Sequence, residues 1–137
     1  MRLLAWVDGG AKGNPGPAGW GLVLRTPDGV ELRRGWGYLG ETTNNVAEYR
    51  GLIAALEQAL ALGATELLVH TDSELVQRQV TGVYRVRQPH LQDLVADVRR
   101  LAGRLGRFEI VHVPREENRE ADALANRAMK ERSSGWD

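Results

Sequence analysis

Four acidic residues stand where regular elements should begin or end. Asp8 closes the apolar run at residues 3–7, Glu48 lies in Asn44-Asn45-Val46-Ala47-Glu48, Asp72 ends Leu67-Leu68-Val69-His70-Thr71, and Asp122 lies in Asn118-Arg119-Glu120-Ala121-Asp122. Two of them fall at the C-terminal ends of predicted strands and two near the starts of predicted helices. Those are the positions from which an open α/β sheet gathers side chains into one cleft. Carboxylates gathered there repel one another and raise one another's pKa values unless divalent cations neutralise them. Oxygen donors, without cysteine and without a histidine cluster, favour Mg2+ or Mn2+ over zinc.

Taken singly, each acid has an ordinary explanation. Asp8-Gly9 fits a turn, Glu48 fits a capping box with Asn45, and Asp72 or Ser73 fits a helix cap. Asp122 fits a favourable charge in the first turns of a helix capped by Asn118. Only convergence argues for a site, and convergence depends on the elements. If the first and fourth strands are adjacent and parallel, Asp8 and Asp72 emerge side by side, with the helix starts bearing Glu48 and Asp122 close enough to complete the cluster.

The chain supplies such elements. Residues 3–7 read as a buried strand, followed by the turn-rich stretch Gly13-Asn14-Pro15-Gly16-Pro17. Residues 20–24 and 30–39 flank Thr26-Pro27-Asp28-Gly29, which has the chemistry of a hairpin turn. Val46, Tyr49, Ile53, Leu56 and Leu60 recur at helical spacing, with Gly63 where a C-terminal cap belongs. A strand at 66–71, a short helix at 73–80, an amphipathic helix from Pro89 to about residue 105, a strand at 108–113 and a helix around 121–128 follow. The order β-β-β-α-β-α-α-β-α predicts an α/β fold, a mixed five-stranded sheet flanked by helices, with the later strands parallel to the first. With 137 residues, 42% of them hydrophobic, one domain spanning 1–137 is expected, its residues 133–137 a frayed tail.

Composition excludes less than it might. Lys and Arg total 18 and Asp and Glu total 18, so net charge points to no polyanionic partner. All but two of the basic residues are arginine, which suits bidentate phosphate contact or reflects compositional bias. No apolar stretch approaches the ~20 residues of a membrane span. Together with the lack of cysteine, this leads to the expectation of a soluble, cytoplasmic monomer with no membrane partner.

Asp8-Gly9-Gly10 with Gly13-Asn14-Pro15-Gly16-Pro17-Ala18-Gly19, Thr43-Asn44-Asn45-Val46-Ala47-Glu48-Tyr49, Thr71-Asp72-Ser73 and Asn118-Arg119-Glu120-Ala121-Asp122-Ala123-Leu124-Ala125 resemble the successive motifs of type 1 ribonuclease H. The resemblance runs from residue 3 to about residue 128. It is to a short form without the basic protrusion, because residues 81–89 join the middle helices directly. It implies a ribonuclease H-like fold and endonucleolytic hydrolysis of the RNA strand of an RNA/DNA hybrid, leaving 5'-phosphate and 3'-hydroxyl ends. It also implies that Asp8, Glu48, Asp72 and Asp122 are the catalytic residues and the ligands of two Mg2+ or Mn2+ ions, with Asp8 bridging.

The same resemblance places Gly10, Gly13, Asn14, Asn45, Ser73 and Arg78 at or near the hybrid-contacting surface, where 2'-hydroxyls mark the RNA strand. Tyr84-Arg85-Val86-Arg87 alternates, so in an extended segment Arg85 and Arg87 would project together toward phosphate. Some family members carry a histidine on the loop before the last acid. Here Val113-Pro114-Arg115-Glu116-Glu117-Asn118 has none, so Arg115 or Glu116 is expected to substitute, and His112, inside the predicted strand, to be structural. Trp6 and Trp20 are expected to pack in the core rather than to stack on bases. Two rival readings remain: a non-catalytic hybrid-binding module, and a related nuclease that cuts DNA.

Overall fold

Strict alternation along the first strand and the fourth decides which side chains share a face. In a computed structural model, which describes residues 1–137, β1 (Arg2–Ala11), β2 (Gly16–Arg25) and β3 (Glu31–Thr42) precede α1 (Asn44–Ala61). Then come β4 (Glu66–Thr71), α2 (Glu74–Val80), α3 (Pro89–Ala102), β5 (Arg107–His112), a 3-10 turn at Arg115–Glu117, α4 (Arg119–Glu131) and β6 (Gly135–Trp136). Leu3, Ala5 and Val7 of β1 and Leu67 and Val69 of β4 point to one face, where Leu52, Leu56, Leu94 and Val98 of α1 and α3 bury them. Val23 and Trp36 point to the other face and meet Leu124 and Ala128 of α4. No helix is long and apolar enough to cross a membrane.

The strands lie in the order β5-β4-β1-β2-β3-β6. β1 pairs antiparallel with β2 and parallel with β4, and β4 pairs parallel with β5. This is the mixed sheet that the element order predicts, and the chain switches direction across it at β1. The parallel β1/β4 ladder ends at Val7 and Thr71, so the next residues, Asp8 and Asp72, leave it together.

The sheet has six strands rather than five, because the tail is held rather than frayed. Ser134 Oγ accepts from the Tyr38 N–H at 2.9 Å, Gly135 and Trp136 pair with Trp36 and Gly35, and the Asp137 N–H donates to the Arg34 carbonyl at 2.8 Å. The Trp136 indole lies over Gly35, where a Cβ would overlap it. A segment this short has no periodicity of its own, and its partners lie far away in sequence.

Caps also differ from expectation. Thr43, not Asn45, caps α1 by accepting from the Val46 N–H at 3.3 Å. Ser73 caps α2, as its sequence position suggests. Asn118 occupies the cap position of α4, but its side chain is used elsewhere. Gly63 takes the left-handed conformation just past α1, with φ +84°.

Two glycines set how closely the helices approach the sheet. A Cβ on Gly9 would overlap the Ala47 carbonyl of α1, and one on Gly21 would overlap the Ala121 carbonyl of α4. Gly9 follows Asp8 and Ala47 precedes Glu48, so that close approach is what brings the two acids together. Ala121 precedes Asp122 in the same way. Gly21→Ala should therefore cost roughly 1–3 kcal/mol by forcing α4 off β2. Urea melts of the two proteins check this, and an unchanged midpoint would show that α4 does not rest on that contact.

Candidate active site

The acids converge because separate elements end at one sheet edge. Asp8 and Asp72 come from neighbouring parallel strands, and Glu48 comes from the first turns of α1, docked on β1 at Gly9. Asp8, Glu48 and Asp72 each offer a carboxylate oxygen, and the three atoms lie within 4.8 Å of one another. Asp122, on the first turns of α4, lines the same cleft, and it acts on the Asp8 carboxyl through a side-chain hydrogen bond and its charge. Asp8 is only 7% exposed. Glu48 Oε2 is fully buried with no hydrogen-bond partner in the protein.

Such crowding shifts protons. Burial is the largest cause raising the Asp8 carboxyl, followed by the charge of Asp72 and the hydrogen bond and charge of Asp122; together they push it from 3.8 to about 8. Glu48 is raised well above its ordinary value by burial first, then by the charges of Asp8 and Asp72, and the Gly9 amide opposes the shift by donating to it. A cluster of hard oxygen donors, one of them buried and unpartnered, with protons held where carboxylates ordinarily carry charge, fits a divalent cation such as Mg2+ or Mn2+.

The cleft has a volume of about 640 Å3. It brings together all four predicted acids, Gly10 and Arg115, whose guanidinium lies 3.7 Å from Asp122. Glu116 stays on the outer side of the turn, in a shallow pocket with Arg119 and Asp122. Asn14 and Gly13 sit on the exposed β1–β2 loop. Gly13 has φ +87°, and Asn14 Oδ1 accepts from the Asn44 N–H at 3.1 Å.

Other predicted contacts lie outside the cleft lining. Asn45 is partly buried beside the α1 cap, and Ser73 is occupied as the cap of α2. Arg78 pairs with Glu74 at 2.9 Å and lies over the Tyr84 ring at 5.3 Å. The connector bearing Arg85 and Arg87 is irregular rather than an extended strand, so alternation does not fix where these side chains point. Arg85 lines a separate groove with Tyr84, Val86 and Arg99, and Arg87 is exposed beside it.

One expectation is overturned outright. His112 is exposed and lines the cleft rather than serving as a structural residue. It is the last residue of β5 and pairs in register with Thr71, which puts it at the same sheet edge as the acids. Lys12 and Asn126, which no motif marks, and Asn44, which lies in the Glu48 motif but has no expected role of its own there, also line the cleft. Asn126 stands four residues after Asp122, hence on the same helical face, with Nδ2 3.4 Å from Asp122 Oδ2. Asn44 Oδ1 accepts from the Ala11 N–H at 2.7 Å, which ties β1 to α1. Trp6 is only partly buried: it stacks on His70, with ring centroids 4.5 Å apart, and Arg25 lies 5.2 Å from its ring.

Comparison with known proteins agrees with this arrangement. Residues 6–128 match the family described as reverse transcriptase-like. The bifunctional protein Rv2228c of Mycobacterium tuberculosis is 47% identical over 130 residues, covering 94% of this chain and 36% of that protein. The chain thus spans about a third of the length of the first curated relatives it matches. The crystal structure of RNase H1 from Halobacterium salinarum superposes with a TM-score of 0.93 at 42% identity, covering 96% of this chain and 99% of that one. LC11-RNase H1, solved in complex with an RNA/DNA hybrid, gives a TM-score of 0.90 at 42% identity, covering 95% and 98% of the two chains. The chain belongs to the type 1 ribonuclease H family, in the short form without a basic protrusion.

The raised carboxyls make stability depend on pH when no metal is bound. A folded-state pKa above the unfolded value stabilises the protein fully below the unfolded value, near 4, and that contribution is lost as pH rises through the folded value, about 8 for Asp8. In EDTA the wild type should therefore lose stability from about pH 4 to about pH 8. Asp8→Asn should flatten that fall and be more stable than wild type at pH 8 by on the order of 1–3 kcal/mol. Denaturant melts across this range measure it, and parallel curves for the two proteins would contradict the repulsion.

Proposed function

We propose that this chain is an endoribonuclease that hydrolyses the RNA strand of RNA/DNA hybrids, leaving 5'-phosphate and 3'-hydroxyl ends. The observation that carries the reading is the group of three carboxylate oxygens within 4.8 Å at the end of the β1/β4 ladder. A related RNase H1, 42% identical, was solved with an RNA/DNA hybrid bound, which supports the choice of substrate.

Asp8, Glu48, Asp72 and Asp122 would hold two Mg2+ or Mn2+ ions. Ions so held supply activation of a water and charge stabilisation at the leaving 3'-oxygen. The charges of Asp72 and Asp122 both act on Asp8, which supports its sharing in the hold on any ion these acids would bind. Arg115, beside Asp122, or Glu116 next to it on the same turn, would take the place of the loop histidine that some family members carry.

Around these acids the chain offers hybrid contacts of two kinds. Gly10 in the cleft, Gly13 and Asn14 on the β1–β2 loop and Asn45 at the start of α1 offer backbone and amide groups suited to reading a 2'-hydroxyl. Ser73, Arg78, Arg85 and Arg87 continue along α2 and its connector, where arginine suits phosphate. A cytoplasmic monomer completes the reading, since a cysteine-free chain suits a reducing compartment.

Incubation with labelled hybrid, duplex RNA, duplex DNA and single strands, with and without Mg2+ or Mn2+, tests the proposal. Cleavage confined to the RNA of the hybrid and abolished by EDTA is expected; cutting of duplex DNA alone would reject it. Asp8→Asn, Glu48→Gln and Asp72→Asn should each lower hybrid cleavage by roughly 100-fold or more with the fold intact. Asp122→Asn should lose less, because its acid stands outside the tight group of three and an amide oxygen still coordinates. Wild-type turnover by Asp8→Asn would sink the assignment of the acids.

Arg85→Ala/Arg87→Ala should weaken hybrid binding without moving the cut, and should flatten the log-log salt dependence by somewhat under ~1 unit for each phosphate no longer neutralised. Affinity measured in Ca2+ at several salt concentrations decides the point, and superimposable lines for the two proteins would reject a role for these arginines in holding phosphate.

A further inference from the structure

Where the β1/β4 ladder stops, the Val7 carbonyl loses the company of a neighbouring strand, and a residue from 111 positions further along the chain takes it over. Asn118 Nδ2 donates to the Val7 carbonyl at 2.8 Å in a buried setting, and Asn118 itself is 1% exposed. The Asn118 carbonyl accepts the Asp122 N–H at 3.0 Å. Its side chain makes no capping bond to α4, although it occupies the cap position. Asn118 Oδ1 is buried without a partner in the protein. A residue kept for helix capping would turn its side chain to the α4 amides, and one kept for packing alone would not bury a half-satisfied amide. Here the amide is directed to the peptide that carries Asp8.

We infer that Asn118 is a positioning residue that fixes the separation of Asp8 and Asp122, with its side chain holding the peptide before Asp8 and its carbonyl holding the amide of Asp122. The inference rests on the metal-binding reading of the cleft. Groups that orient ligands in this way typically govern metal affinity as strongly as a weak ligand does. Asn118 touches neither carboxylate, so its removal leaves the donor set complete but lets β1 and the start of α4 drift relative to each other. The Tyr49–Gln79 bond, equally buried at 2.6 Å, joins α1 to α2 and has no such hold on two acids at once.

The test is Mn2+ titration by calorimetry on the whole chain, which needs no turnover. Asn118→Ala should bind Mn2+ roughly 10-fold to 100-fold more weakly than wild type. Leu101→Ala, a core change in α3 that lines no part of the cleft, provides a control destabilised to a similar melting temperature and should keep wild-type affinity. On labelled hybrid at limiting Mn2+, Asn118→Ala should lose kcat/KM roughly 10-fold or more and regain most of it as Mn2+ is raised to saturation, a rescue the Leu101 control should not show. If Asn118→Ala does not fold, Asn118→Ser replaces it in the titration: it keeps a small polar group but is too short to reach the Val7 carbonyl. Equal Mn2+ affinity in the Asn118 variant and the Leu101 control overturns the proposal, as does failure of both Asn118 variants to fold, which would make the residue purely structural. Should wild type bind Mn2+ yet leave hybrid uncut, the substrate reading fails while the titration still decides Asn118; should wild type bind no Mn2+, both fall.

Discussion

Repulsion among buried carboxylates is the constraint that the rest of this molecule is built to withstand. Asp8, Glu48 and Asp72 belong to three different elements, so their mutual repulsion acts to push β1, α1 and β4 apart. What resists is the apolar layer beneath them. Leu3, Ala5 and Val7, immediately before Asp8, and Leu67 and Val69, before Asp72, are anchored in the same cluster as Tyr49 and Leu52, which follow Glu48. Each of these acids therefore sits close in sequence to a buried side chain, and none has the freedom to swing away. Keeping the site charged and rigid costs the fold stability, and a bound divalent cation would restore it.

α4 meets the sheet by a different route. Its start is tied to the β2–β3 hairpin by Glu120, which accepts from Arg25 at 2.5 Å and Arg34 at 2.8 Å, and both arginines also reach Glu31. Hydrogen bonds from Arg34, then Arg25, hold the Glu120 carboxyl below its ordinary value. These groups are partly exposed, so their net worth in stability is small. Their use is geometric: a two-pronged contact fixes the rotation of the helix on which Asp122 faces inward while Glu120 faces outward. Glu120, tightly paired on the outside, and Asp122, turned to the cleft with only a 3.7 Å approach from Arg115, give α4 two chemically different sides two residues apart.

Much of this was readable from the sequence because it follows local rules. The strand ends at Asp8 and Asp72 show in apolar runs that stop at an acid, and α1 shows in the spacing of Val46, Tyr49, Ile53 and Leu56. The fold class followed from element order, since parallel pairing of β1 with β4 needs only a crossover between them. What escaped were features decided by partners remote in sequence. Trp136 looked like the end of a polar tail until Gly35 offered it a flat seat. Thr43, and not Asn45, capped α1 because Asn44 was already drawn toward Ala11 and Asn14. His112 looked structural because it falls within a strand, and β5 does include it, but as its last residue, paired with Thr71 and exposed at the cleft. Asn118 was legible as a helix cap by position, yet the side chain went to a strand more than a hundred residues away, and no local pattern records that choice.

The charge balance takes on meaning only once the elements are in place. The chain is neutral overall, with 18 basic and 18 acidic residues, but the cleft is not: four acids face it against Lys12 and Arg115. Several of the remaining arginines are held in ion pairs elsewhere, as at Arg25, Arg34, Arg107 and Arg127. Once Asp8 and Glu48 are ionised, a cleft of that composition concentrates cations and repels a phosphate backbone. Cations held by Asp8, Glu48, Asp72 and Asp122 would reverse the local sign and make the same surface attractive to phosphate. If the chain is the hybrid nuclease proposed above, then without a lysine-rich protrusion to supply affinity from a distance its substrate binding would be tied to metal loading more closely than in a chain with a separate basic arm, and one set of carboxylates would govern both steps.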